Sequence, residues 1–173
     1  MQTDSAAMER MSREEFAAFY QQTAPALRRY LARIAGNADL ADDLLQEAYI
    51  RLIHAAPEGG TQRRAYLYRT ATNLAADHFR ASRRERIGLG LWKWRQPVAV
   101  APREPAGVEQ AFAELKVRER ALLWLAYVEG ATHAEIAAAL GCGQRSVRVL
   151  LFRARRRMEG LLREHNIHEP AGS

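Results

Sequence analysis

Apolar positions recur at helical spacing through most of the chain, and two consecutive stretches near its end are the most informative. In the first, Thr132 stands three residues before Glu135, a capping box that satisfies two orphan backbone donors where a helix begins. Ile136, Ala137 and Leu140 then form one apolar face, and Gly141 sits where the chain must turn sharply. The second stretch runs from about Gln144, with Leu150, Leu151, Ala154 and Met158 within roughly 60° of Val147 when each residue advances ~100°. Arg145, Arg148, Phe152 and Arg156 fall on the opposite side. Two short helices, a small Ala137 where they meet, a glycine turn and a valine plug predict a helix-turn-helix. Its second helix enters a major groove by its first turns, with Gln144, Arg145, Ser146, Arg148 and Val149 toward base edges. Arg153, Arg155, Arg156 and Arg157 are placed for phosphates. The plain alternative is an amphipathic helix whose arginines form a solvated face.

Upstream, the same periodicity predicts an all-α chain of two small helical domains. Ser12 and Glu15 form another capping box, opening a helix through Phe16, Phe19 and Tyr20 that Pro25 interrupts or restarts. Leu27, Tyr30, Leu31 and Ile34 carry the next stripe to Gly36-Asn37. A further helix from about Asp39 to Ala56 turns Leu40, Leu44, Ala48, Leu52 and Ala55 inward. After the Pro57 to Gly60 loop, a long helix from about Gln62 to Arg86 places Leu67, Ala71, Leu74 and His78 on its core side. Four helices thus make a first module over residues 12–86. Glycines and prolines break the pattern over residues 87–107, which read as a flexible linker; Trp92 and Trp94 within it either pack on a domain or contact a partner. The second module covers residues 108–165, with Phe112, Leu115, Leu122, Leu123, Leu125, Ala126 and Val128 in its core and Trp124 in the core or at the domain edge. Residues 166–173 read as a disordered tail.

Composition narrows the partners. A net charge of +6, from 26 Lys and Arg against 20 Asp and Glu, favours a polyanion. The single Cys142 excludes an internal disulfide framework and fits a reducing cytosol. With no apolar run long enough to span a bilayer and no signal layout at Met1 to Met11, the expectation is a soluble cytoplasmic protein without direct membrane insertion. His54, His78, His133, His165 and His168 are scattered, and neither a His-Glu-x-x-His pattern nor a phosphate loop is present, so no catalytic residue, metal or cofactor is expected.

Two surfaces of the first module carry more than packing. Asp43, Gln46, Glu47 and Ile50 make a stripe that is either a solvated face or a dock for a basic or mixed partner helix. On the long helix, Tyr66, Arg69, Asn73, Arg80 and Arg84 point near one direction, flanked by Tyr68, Thr72 and Arg83. Rings among arginines and an amide suit single-stranded nucleic acid, because rings stack on bases and cations follow phosphates.

Over about Glu15 to Arg86 and Val108 to Leu162 the chain resembles the extracytoplasmic-function sigma factors, bacterial RNA polymerase initiation subunits of the sigma-70 superfamily. D-D-L-L-Q-E-A-Y-I-R-L from Asp42 resembles the region-two helix that binds the polymerase clamp, with Asp43, Gln46, Glu47 and Tyr49 on its motif positions. R-A-Y-L-Y-R-T-A-T-N-L-A-A-D-H-F-R from Arg64 resembles the segment that recognises and melts the minus-ten element, which implies roles for Arg64, Tyr66, Arg69, Asn73, Asp77, Arg80 and Arg84. V-E-G-A-T-H-A-E-I-A-A-A-L-G resembles the start of region four, whose recognition helix reads the minus-thirty-five element; this implies roles for Thr132, Gln144, Arg145, Ser146, Arg148, Val149, Arg153 and Arg156. The family usually has Ser or Thr where Gly143 stands, polar or basic residues at Val149 and Leu150, and often His at Phe152, so an altered promoter preference or another apolar contact is expected. The resemblance further implies a monomer within the holoenzyme, contacts with the polymerase clamp and flap, duplex DNA upstream and single-stranded DNA downstream, and an anti-sigma factor. A stand-alone helix-turn-helix regulator, binding a palindrome as a dimer, is the competing reading.

Overall fold

The computed structural model describes residues 11–88 and 107–165, and the described residues form seven helices with no strand. The expectations about Trp92, Trp94, most of the linker and the tail fall outside them.

Three helices build the first module: α1 (Arg13–Ala35), α2 (Ala38–Ala55) and α3 (Gly60–Gly88). Ser12 Oγ accepts from the Glu15 amide at 3.1 Å and the Glu15 carboxylate accepts from the Ser12 amide at 3.0 Å, so α1 begins on the expected capping box. It ends at Gly36, whose φ of 68° is the left-handed conformation that closes a helix. Asn37 caps α2 by accepting from the Leu40 amide. Where the sequence predicts a helix broken or restarted at Pro25, α1 runs through it without interruption. Pro25 lies on the exposed side, so water can reach the carbonyl it leaves unpaired, while Ala24 and Leu27 hold the opposite face in the core. The module therefore has three helices rather than four.

Leu27, Leu31, Ile34, Leu52 and Leu67 are wholly buried where these helices meet, each worth roughly 1.5–3 kcal/mol relative to exposure. Tyr30 is also wholly buried, and its hydroxyl is satisfied by the Thr72 hydroxyl at 2.6 Å, which in turn donates to the Tyr68 carbonyl at 2.7 Å.

The second module contains α4 (Gly107–Glu114), α5 (Val117–Tyr127), α6 (His133–Leu140) and α7 (Gln144–Glu164). Helices α6 and α7 are the predicted helix-turn-helix. Thr132 caps α6 through the reciprocal bonds with Glu135, Gly141 takes φ 63° in the turn, and Val147 is wholly buried as the plug. Gly143 caps α7 with no side-chain bond.

The modules are packed on each other. One continuous apolar cluster includes Leu31 and Leu67 of the first and Leu122, Leu125, Ile136 and Val147 of the second. Helix α3 consequently has two buried sides, one toward α1 and α2 and another toward α5 and α6. This revises several side-chain placements. Tyr68 and Thr72 are buried instead of flanking an open face, Phe79 turns partly inward in place of His78, and His78 is exposed. Ala55, at the end of α2, and Val128, beyond the end of α5, are also exposed because neither meets a facing helix.

Candidate polymerase and nucleic-acid interfaces

The first surface is an open groove of 440 Å³ between α1 and α2. Its walls include Phe16, Tyr20, Gln46, Tyr49, Ile50 and Ile53. Capping fixes where α1 starts, which sets Phe16 and Tyr20 one turn apart against Tyr49; the Tyr20 and Tyr49 rings lie 4.7 Å apart. Tyr49 is 4% exposed and its hydroxyl meets that of Thr23 at 2.6 Å, so the residue gives the groove its floor. Tyr20 and Ile50 are among the exposed large apolar residues. Along one rim, Asp43 and Gln46 are exposed, while Glu47 is half-buried and bonded to Arg51 at 2.7 Å. An apolar trough with an acidic and amide edge is suited to an amphipathic helix carrying basic residues. The aromatic wall supplied by α1 was not part of the sequence-derived site, although Phe16 and Tyr20 are visible there as an i, i+4 pair.

The second surface is on α3, and the structure divides its predicted residues into two groups. Asn73, Asp77, Arg80 and Arg84 lie on the exposed stretch toward the helix end, where Arg80 pairs with Asp77 and Arg84 reaches the Arg80 carbonyl. Tyr66 is half-buried, with its hydroxyl 3.4 Å from the Arg51 carbonyl. Arg64 and Arg69, nearer the helix start, are brought against the second module together with Tyr68.

At that contact Glu129 is the hub. Its carboxylate accepts from the Tyr68 hydroxyl at 3.0 and 3.1 Å, from Arg64 Nη2 at 3.4 Å and from Trp124 Nε1 at 3.3 Å. The Glu129 side chain is 14% exposed. The Arg64 guanidinium also lies 5.3 Å from the Tyr68 ring centre. Burial, followed by the nearby Glu129 charge, pushes the Tyr68 phenol well above the ordinary tyrosine range and keeps it a neutral donor. Arg69 Nε donates to the Ala138 carbonyl at 3.3 Å, near the end of α6 where backbone carbonyls concentrate negative potential.

Arg120 of α5 lies beneath the same interface. It is 5% exposed, its guanidinium carbon lies 5.1 Å from the Phe79 ring centre, and Nε has no hydrogen-bond partner among the described residues. Desolvation lowers its pKa to about 10. Neither Glu129 nor Arg120 stands out by sequence pattern, since Glu129 follows a helix end and Arg120 occupies one turn of an otherwise apolar face.

The third surface is the outer side of α7. Gln144, Arg145, Ser146, Arg148, Val149, Arg153 and Arg156 are all exposed there, as the periodicity predicts. Val149 and Phe152 are 49% and 56% exposed, an apolar pair one turn apart among arginines. Thr132 is held at the α6 cap, with its hydroxyl 2.9 Å from the Glu135 carboxylate. That carboxylate is held below the ordinary range chiefly by the Thr132 backbone and side-chain bonds, with a smaller contribution from Arg64. Among the described residues no group of three or more His, Cys, Asp and Glu side chains is arranged for a metal ion, and no helix is long and apolar enough to cross a membrane.

A family model described as Sigma-70 region 2 matches residues 19–85, and one described as Sigma-70, region 4 matches residues 107–158. The ECF RNA polymerase sigma factor SigL of Mycobacterium tuberculosis is 30% identical over 156 residues, covering 85% of this chain and 88% of SigL. The ECF RNA polymerase sigma factor EcfG of Rhodopseudomonas palustris is 28% identical over 145 residues, 80% of each chain. Among solved structures, the sigma factor RpoE of Bartonella quintana, crystallised in complex with the anti-sigma factor NepR, superposes with a TM-score of 0.69. That match covers 87% of this chain and 98% of RpoE at 23% identity, a likeness of fold.

Proposed function

The chain belongs to the extracytoplasmic-function sigma factors of the sigma-70 superfamily, and from that premise we propose how its three surfaces divide the work of directing RNA polymerase to promoters. The α1–α2 groove, with Asp43, Gln46, Glu47 and Tyr49, receives a helix of the polymerase clamp. The outer side of α7, with Gln144, Arg145, Ser146, Arg148 and Val149 toward bases and Arg153 and Arg156 toward phosphates, reads the duplex minus-thirty-five element; Thr132 fixes the supporting helix. Helix α3, with Arg64, Tyr66, Arg69, Asn73, Asp77, Arg80 and Arg84, holds the opened minus-ten strand. Unstacking costs a few kcal/mol per step, and stacking on tyrosine with charge-assisted phosphate contacts offsets it.

The observation that carries this reading is the presence, on one chain, of an arginine-flanked helix-turn-helix and a separate helix mixing tyrosine, arginine and asparagine. The domain limits proposed are 12–86 for region two and 108–165 for region four. The chain contributes recognition as one copy per holoenzyme in the cytoplasm, and the polymerase performs the chemistry, so the protein is not itself an enzyme. A protein regulator of the anti-sigma kind is a further proposed partner, supported by the RpoE–NepR complex. A stand-alone regulator is not favoured, because relatives alike over most of the chain are polymerase subunits.

Transcription by core polymerase from a library of randomised promoters tests the proposal. Transcripts should start only when this chain is added and should share two spaced elements. Tight binding to a palindrome by the isolated chain, with no promoter-specific transcription, would overturn it.

A further inference from the structure

We propose that Arg118 and Glu119, adjacent in the first turn of α5, are positioning residues that set the angle at which α7 is presented to duplex DNA. The inference rests on the reading of α7 as the duplex reader and names what holds that reader in place.

The need for a brace is local. Gly143 caps α7 with no side-chain bond, so the helix start lacks the polar fixture that Thr132 gives α6. In the turn before it, the amides of Gly141 and Cys142 both go to the Ala137 carbonyl. The Leu140 carbonyl, last of α6, is instead taken by Arg118 Nη2. A cation there meets the negative end of the helix dipole, and a charge-assisted bond is stronger than a neutral one. Arg118 thus pins the turn from which α7 departs. Glu119 holds the helix farther along. Its carboxylate accepts from the Lys116 amide at 2.9 Å, which anchors it at the start of α5, and lies 4.0 Å from Arg157 Nε of α7. Arg157 is placed for phosphates by periodicity, yet here it faces the protein's own carboxylate. The Glu119 side chain is 22% exposed, so its attraction is less screened than in a fully open surface pair. Two points of attachment fix the direction of a helix, where one leaves it free to pivot. A recognition helix reads base edges only while its supporting contacts keep it aligned with the groove.

The test uses the holoenzyme formed with the full chain and a promoter recovered from the randomised library, with the spacing between its elements varied by single base pairs. Arg118→Met should lower the preference for an intact over a scrambled upstream element by about tenfold and broaden the spacing optimum. Arg118→Lys, which still donates to the Leu140 carbonyl, should keep most of both. Glu119→Gln, which keeps the bond to the Lys116 amide but not the charge, should lose about threefold. A loss of equal size at every spacing would mean a merely destabilised module and would overturn the positioning role. An unchanged preference in Arg118→Met, or no rescue by lysine, would do the same. The salt dependence of binding judges the Glu119 contact. Arg157→Ala should leave the slope as in wild type, whereas a slope shallower by about one would show a phosphate contact and overturn the Glu119 brace. A wild-type holoenzyme with no upstream preference would sink the reading of α7 and the brace with it; a sharp preference indifferent to Arg118 sinks the brace alone.

Discussion

The hydroxyl of Tyr68 reaches both oxygens of the Glu129 carboxylate, at 3.1 and 3.0 Å, joining the two modules across a separation of 61 residues. Replacing Tyr68 with Phe keeps the ring and removes the donor, leaving a mostly buried carboxylate with Arg64 and Trp124 alone. A loss of about 1.5–3 kcal/mol is expected, seen as a lower urea midpoint. An unchanged midpoint would show that the bond contributes nothing net.

Arg120→Met should act in the opposite direction. The guanidinium is buried against Phe79 with no carboxylate partner among the described residues, and methionine fills similar space with no charge to desolvate. The expected gain is about 1–2 kcal/mol in denaturant unfolding, with slower amide exchange on α5. Destabilisation by the same amount would mean that the cation's packing outweighs its desolvation.

At Gly141 the backbone has φ 63°, and a Cβ there would stand 3.1 Å from Arg69 Nε. Gly141→Ala should therefore cost roughly 1–2 kcal/mol from the left-handed backbone alone. Thermal unfolding measures it, and Arg69→Ala in the same chain should recover only the smaller, steric share.

On α7, Arg148→Ala should weaken minus-thirty-five binding in the holoenzyme by about 1–3 kcal/mol and relax the base preference at one position. Footprinting across single-base variants distinguishes that from a phosphate contact, whose loss would weaken all sites alike. Phe152→Ala should weaken binding chiefly at sites with thymine, whose methyl group is the apolar feature of the major groove.

Acid should release the α6 cap. Bonds from Thr132 depress the Glu135 pKa below its ordinary value of 4.5, so their stabilisation is present above that value and is lost as pH falls through the depressed one. The protection of the Thr132 and Glu135 amides, relative to their intrinsic exchange rates, should fall as pH drops below about 4.5; Glu135→Gln should abolish that dependence, and Thr132→Ala, which keeps the backbone donor, should only reduce it. A constant profile in wild type would remove the cap's role.

Much of this architecture is readable from local chemistry. Ser12 with Glu15 and Thr132 with Glu135 mark helix starts because capping is decided within four residues, and the turn at Gly141 follows from the same short-range rules. Face arithmetic fails where a helix has two neighbours. It assumes one buried stripe, so it leaves Tyr68 and Thr72 of α3 at the edge of an open surface and cannot foresee that both meet Tyr30 of α1 and that Tyr68 also reaches Glu129 of the second module. Pro25 misleads for a related reason: its effect depends on whether the outer side of α1 meets water, a fact of the assembled module. The groove was half visible, since the α2 motif shows one wall and only the packing of Phe16 and Tyr20 on Tyr49 supplies the other.

Gly88 and Gly107 belong to one continuous polypeptide, so the partners in the Glu129 contact are never diluted from one another. Covalent connection raises the effective concentration of the two partners far above that of separate molecules in dilute solution and so favours their contact without any added bond. A single cut between the modules would turn that unimolecular balance into a bimolecular one, and the halves would then stay together only above the dissociation constant of their contact, with every noncovalent group unchanged.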